Sequence, residues 1–138
     1  MVTILDTHPL VVYFERESGW EFVRDLFAEL ARDKARALMT AVNIGEVYYA
    51  VERNGGRAAL PTLDRVLAKL PIEAVPADLP IAKQAAAFKA TKKMSYADCF
   101  AAALAKLRGG RLVTGDPEFK EVEAEIPILW LPLAQGTS

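Results

Sequence analysis

Five short apolar runs, separated by stretches long enough to cross back over a sheet, constrain this chain more than any other feature. They are Val2–Leu5, Leu38–Ala41, Ile72–Val75, Arg111–Thr114 and Ile128–Leu131. Antiparallel strands can be joined by a two-residue turn, whereas parallel strands need a crossover of about a dozen residues or more, usually helical. The intervening segments carry helical spacing. From Trp20 the apolar positions Phe22, Val23, Leu26, Phe27 and Leu30 recur on one helical face as far as Ala31. A helix through Glu15 is predicted after Thr7, which can cap it, with Pro9 in its first turn. Further helices are predicted over Asn43–Glu52, stopping at Asn54-Gly55-Gly56, and over Ala58–Lys69, with Pro61 in the first turn. Two more cover Pro80–Lys92 and Ser95–Leu107, the second closed by Gly109-Gly110. A short helical turn is predicted after Asp116-Pro117. Alternation of this kind implies a three-layer α/β/α domain with a central parallel sheet. One domain is expected over residues 1–132, followed by a flexible tail over 133–138.

What the chain lacks narrows its chemistry. No apolar run approaches the roughly 20 residues needed to span a bilayer. The start has no basic leader or small-residue cleavage site, so a soluble, cytoplasmic protein without membrane attachment is expected. A single cysteine, Cys99, rules out an internal disulfide, and with a single histidine, His8, a zinc site built from Cys and His is excluded. Any metal would be a hard cation held by oxygens, such as magnesium or manganese. The net charge of −1 carries no basic signature for nucleic acid. Masking four carboxylates with metal would leave 17 basic against 14 acidic residues, which is compatible with an RNA partner.

Ligands of open parallel sheets bind beyond the carboxyl ends of the strands. Asp6 follows the first apolar run and Asp116 follows the fourth, so neighbouring strands would place both at one edge. Glu46 has Val42, Asn43, Tyr49 and Ala50 at helical spacing, and Asp98 is the only acid in its helix. A lone carboxylate on such a face needs a partner, because burying an unpaired charge is costly. Each acid also has a local explanation. Asp98 could complete a capping box with Ser95, Asp116 could cap a turn begun by Pro117, Asp6 could open a turn, and Glu46 could pair with Arg53. Taken together, four gathered carboxylates repel one another unless cations hold them, and hard divalent ions prefer that ligand set.

The segments Ile4-Leu5-Asp6-Thr7, Asn43-Ile44-Gly45-Glu46-Val47, Ser95-Tyr96-Ala97-Asp98-Cys99-Phe100-Ala101-Ala102 and Val113-Thr114-Gly115-Asp116-Pro117-Glu118-Phe119 resemble, in this order, the four motifs of PIN domains. They most resemble those of VapC toxins from toxin–antitoxin pairs, and the resemblance runs from Met1 to about Pro132. It implies a PIN fold and an endoribonuclease dependent on Mg2+ or Mn2+, with Asp6, Glu46, Asp98 and Asp116 as metal-binding, catalytic acids. It further implies a water attack that leaves a 5′-phosphate and a 3′-hydroxyl, a homodimer, and a VapB-type antitoxin that blocks the site. Thr7, Asn43 and Thr114 would orient the ligands from behind. His8 departs from the family pattern and reads as a helix-start residue near the site.

RNA contacts must come from basic side chains, of which Lys92 and Lys93, then Arg53 and Arg57, are the candidates. Phe14, Trp20, Phe22, Phe27, Tyr48 and Tyr49 read as core or partner surface, and Cys99 as small core packing. The alternative to a nuclease is a PIN fold that binds RNA or protein without cutting. A receiver-type signalling domain fits poorly, since Val75 is followed by Pro76 instead of an aspartate. A phosphatase with a second acid two residues after its nucleophile meets His8 at that place.

Overall fold

A computed structural model describes residues 1–132, so the tail expected at 133–138 lies outside the described residues. The elements run β1 (Thr3–Leu5), α1 (Thr7–Glu15), α2 (Trp20–Arg32), β2 (Ala37–Thr40), α3 (Ala41–Gly55), a 3-10 turn at Arg57–Ala59, α4 (Leu60–Lys69), β3 (Ile72–Val75), α5 (Leu79–Thr91), α6 (Tyr96–Arg108), β4 (Arg111–Thr114), a 3-10 segment at Pro117–Val122, and β5 (Ile128–Trp130). All strand pairings are parallel, in the order β3-β2-β1-β4-β5. Among the described residues no helix is long and apolar enough to cross a membrane.

Each strand alternates its side chains between two cores, as the pleat requires. Ile4, Leu38 and Leu112 face one way, onto a cluster with Phe88, Leu104 and Phe119. Leu5, Met39 and Val113 face the other, onto a cluster with Leu10, Val23, Phe27, Val47 and Leu63. The three layers follow from that alternation. Helix α6 packs against α5, α3 and the sheet, and every residue from Asp98 to Ala105 is buried. Its run of alanines suits this place, because a helix covered on all sides needs small side chains to let its neighbours approach. Gly109 ends the helix at φ 61°, and an added Cβ on Gly110 would lie 2.6 Å from the Val2 carbonyl oxygen. The glycine pair therefore both caps α6 and lets β4 slide in beside β1.

The departures from expectation are at element ends. Ala41 belongs to α3, whose N-cap is Thr40, accepting a 3.1 Å bond from the Asn43 amide. Thr7 does not cap α1 but lies inside its first turn, with Asp6 in the capping position.

The sheet order reverses between β1 and β4. The chain moves outward from β1 through β2 to β3, then returns to the other side of β1 to lay down β4 and β5. The loops leaving β1 and β4 diverge there and open a crevice at the carboxyl ends of the strands.

Candidate active site

Asp6 leaves β1 at this reversal point, its amide bonded to the Val113 carbonyl of β4 at 3.2 Å. Although Asp6 stands at the N-cap of α1, its carboxylate makes no capping bond. Instead Oδ2 accepts from the Thr114 hydroxyl at 2.9 Å, while Oδ1 is buried without a partner. The Thr114 oxygen also accepts the Asp116 amide at 3.0 Å, tying the two strand ends together. Asp116 does cap its turn, as one local reading expected, with Oδ1 accepting from the Glu118 amide at 2.9 Å.

Asp98 sits in the first turn of α6. Ser95 caps that helix, its hydroxyl accepting from the Asp98 amide at 3.2 Å. The expected reciprocal half of the capping box is missing. The Ser95 amide is bonded not by Asp98 but by Glu118 Oε1, at 2.8 Å. Glu118 thus releases the Asp98 carboxylate from the helix end and latches α6 to the turn after β4. One oxygen from each of Asp6, Asp98 and Asp116 lies within 4.8 Å of the others.

Glu46 lines the same pocket from α3 but stands outside that triangle. It accepts a 2.7 Å bond from the Thr7 hydroxyl and does not pair with Arg53, which lies over the Tyr49 ring instead. Asn43, fully buried, organises this side. Its Nδ2 donates to Thr7 Oγ1 at 3.2 Å and to the Ala97 carbonyl at 3.1 Å, and its Oδ1 accepts from Thr40 at 2.5 Å. Those bonds join α1, α3 and α6 behind the acids.

The cost of gathering these charges is visible in their proton affinities. Burial pushes Asp6 up to about 7, opposed in part by its bond from Thr114, with the charges of Asp116 and Glu46 adding to the rise. Burial pushes Asp98 further, to about 9, aided by the Asp6 charge and the neighbouring Glu118 carboxyl. Three carboxylate oxygens at mutual ligand distance, with one buried oxygen unsatisfied, form a donor set suited to a hard divalent cation. Nothing softer is available among them.

The pocket of about 290 Å³ is lined by the four expected acids and Thr7, and also by His8, Val11, Ser95 and Glu118. Glu118 was not foreseen as a site residue, although it sits within the motif Thr-Gly-Asp-Pro-Glu-Phe that marks the site. His8 presses its ring against Gly115, where a Cβ would come within 2.7 Å of His8 Cε1. None of Lys92, Lys93, Arg53 and Arg57 lines the pocket. Lys92 pairs with Glu125 at 3.1 Å and Arg57 with Glu52 at 3.3 Å.

The sequence matches the PIN domain family over residues 3–125. The chain belongs to the PIN domain family. No curated protein matches it at the level of sequence. The PIN fold is shared with several solved structures. One is a chain of VapBC2 from Rickettsia felis bound to a DNA fragment from its promoter, with a TM-score of 0.75 and 15% identity, covering 96% of this chain and 100% of that one. DNA-bound VapBC from Salmonella typhimurium aligns with a TM-score of 0.71 and 20% identity over 96% and 99% of the two chains. Mycobacterium tuberculosis VapC20, a toxin that cleaves the sarcin-ricin loop, aligns with a TM-score of 0.69 and 14% identity over 90% and 95%. In this PIN domain the acid pocket lies where the sheet order reverses.

Proposed function

We propose that this PIN domain is the toxin of a VapBC-type toxin–antitoxin pair and cuts RNA in the cytoplasm as an endoribonuclease dependent on Mg2+ or Mn2+. The observation that carries the reading is the triangle of Asp6, Asp98 and Asp116 oxygens, within 4.8 Å of one another, together with the buried, unpartnered Asp6 Oδ1. A cluster that raises the proton affinity of its own members costs the fold stability, and a bound cation offsets that cost. When bound, a divalent ion neutralises phosphate charge and makes water a better nucleophile.

The chain's own groups divide the remaining work. Asp6, Asp98 and Asp116 would hold the ion, and Glu46 lines the same pocket from α3. Thr114 orients Asp6, while Thr7 and Asn43 orient Glu46. Hydrolysis in this frame leaves a 5′-phosphate and a 3′-hydroxyl. Lys93 and Arg53 are the remaining candidates for phosphate contact, since Lys92 and Arg57 are taken up by Glu125 and Glu52. A homodimer and a VapB-type antitoxin closing the acid pocket complete the reading, supported by the shared fold with VapBC complexes.

The test is cleavage of mixed cellular RNA by purified protein with Mg2+, Mn2+ or chelator, beside Asp6→Asn. Cutting that needs the metal and vanishes in the variant is expected. A folded, antitoxin-free protein that binds RNA but leaves it whole would replace the nuclease with a PIN-fold binding module.

A further inference from the structure

Next to the acid pocket lies a second cavity, of about 390 Å³, lined by Gly115, Pro117, Lys120, Trp130 and Leu131. Its size falls in the range of about 300–1,000 Å³ typical of small-ligand sites. Two of its walls, Gly115 and Pro117, are the residues on either side of Asp116, so the two hollows share the segment that leaves β4. Trp130 pairs across the sheet with Thr114, the residue whose hydroxyl holds Asp6. Trp130 lies on β5, the edge strand of the sheet. The indole packs on the buried cluster that includes Phe119, Val122 and Ile126, and its remaining surface borders the cavity. Lys120 is exposed at the rim.

The acid pocket alone gives RNA little to hold, since its carboxylates repel phosphate except through a cation. Affinity for a nucleotide chain must therefore come from neighbouring nucleotides. A tryptophan already fixed by the core loses little freedom on binding, and its flat surface accepts any base by stacking. Pro117 in the same cavity wall adds apolar contact, and the exposed Lys120 adds charge for the adjoining phosphate. A base held in a helical stack cannot enter such a recess, whereas a base from a loop or a single strand can.

We propose that the Trp130–Pro117–Lys120 cavity is a nucleobase subsite of the acid centre. It takes one unpaired base of single-stranded RNA by stacking on Trp130, with Lys120 on the neighbouring phosphate. The proposal rests on the RNA-cutting reading and adds to it the residues of this chain that grip one base beside the acid centre.

Trp20 and Trp130 are the only tryptophans, so Trp20→Phe makes the fluorescence of the full-length protein report on Trp130 alone. This protein is titrated, with Ca2+ in place of Mg2+, with a uridine oligomer of about eight nucleotides and with the same oligomer lacking its bases. Saturable quenching by the first and not the second is expected. In kinetics on single-stranded RNA, Trp130→Ala should raise KM about tenfold with kcat little changed, and Trp130→Phe should recover most of the loss. Lys120→Ala, which leaves the core untouched, should raise KM about threefold and flatten its salt dependence. Equal quenching by the base-free oligomer, or an unchanged KM in Trp130→Ala and Lys120→Ala of a protein that still cuts RNA, would overturn the subsite and leave the nuclease standing. Quenching that grows with protein concentration alone would make the cavity a contact between copies and also overturn it. Saturable, base-dependent quenching in a protein that cuts nothing would uphold the subsite and remove the nuclease reading instead.

Discussion

On the β1, β4 and α6 side of the acid pocket, Asp6, Asp98 and Asp116 crowd within 4.8 Å, and burial raises the proton affinity of Asp6 and Asp98. On the α3 side, Glu46 accepts a 2.7 Å bond from Thr7, and Asn43 spends both its oxygen and its amide on Thr40, Thr7 and Ala97. Both halves bring polar groups into a low-dielectric interior. One answers with hydrogen bonds and is complete as it stands. The other needs something from outside, because carboxylates cannot satisfy one another once all are ionised. The comparison separates residues that build the pocket from residues that work in it, and the two classes should respond to substitution with opposite signs.

The largest effect is expected at Asp98. Asp98→Asn should lower RNA cleavage about a hundredfold or more, while raising the thermal midpoint of the metal-free protein by about 3–5 °C, because the cost of burying that carboxyl beside Asp6 is removed. Melting curves with chelator decide the second half of that statement, and a lower midpoint would mean that Asp98 serves the fold. Asn43→Ala should move the other way. It leaves the Thr40 and Thr7 hydroxyls and the Ala97 carbonyl without their partner, costing about 2 kcal/mol of stability, with cleavage reduced about tenfold through misplaced Glu46. An Asn43→Ala protein as stable as its parent would erase the distinction between the halves.

The pH dependence of the metal-free protein sharpens the same contrast. Asp6 and Asp98 bind protons more tightly folded than unfolded, so their contribution to stability is complete below about pH 4. It is lost as pH rises through about 7 and about 9. The thermal midpoint without metal should therefore fall across that window, and saturating Mg2+ or Mn2+ should flatten the fall by taking the place of the protons. A midpoint insensitive to metal at high pH would argue against the trio as its binding site. The smallest effect concerns Glu118. Glu118→Gln keeps an oxygen for the Ser95 amide and should hold Mn2+ within about threefold of the parent by calorimetry, whereas Glu118→Ala should lose about tenfold in the same affinity. Equal losses in the two variants would make Glu118 a ligand by its charge instead of a latch.

Much of this was legible in the residues themselves. Asp6 and Asp116 could be placed at strand ends from the apolar runs before them, and Asp98 stood out as the only acid in an apolar helix. The hydrogen bonds behind them were not legible. Thr7 looks like a cap for its own helix but donates to Glu46. Ser95 and Asp98 have the spacing of a capping box, yet the return bond comes from Glu118, across the gap between α6 and the turn after β4. Lys92 sits close before the Asp98 helix but turns to Glu125. In each case the side chain could serve either a local role or a distant partner, and only the packing of the elements selects between them.

The sequence by itself determined the alternation of strands and helices, the parallel sheet, and the acids at its carboxyl ends. Periods of 2 and 3.6 residues are written in the chain, and the solvent enforces them segment by segment. Tertiary structure alone decided that β4 lies beside β1, that Asp98 comes within ligand distance of Asp6 and Asp116 while Glu46 stays outside, and that Trp130 walls a cavity next to them. Those are distances between elements far apart in sequence, set by how two cores close on the faces of one sheet, and no local period encodes them.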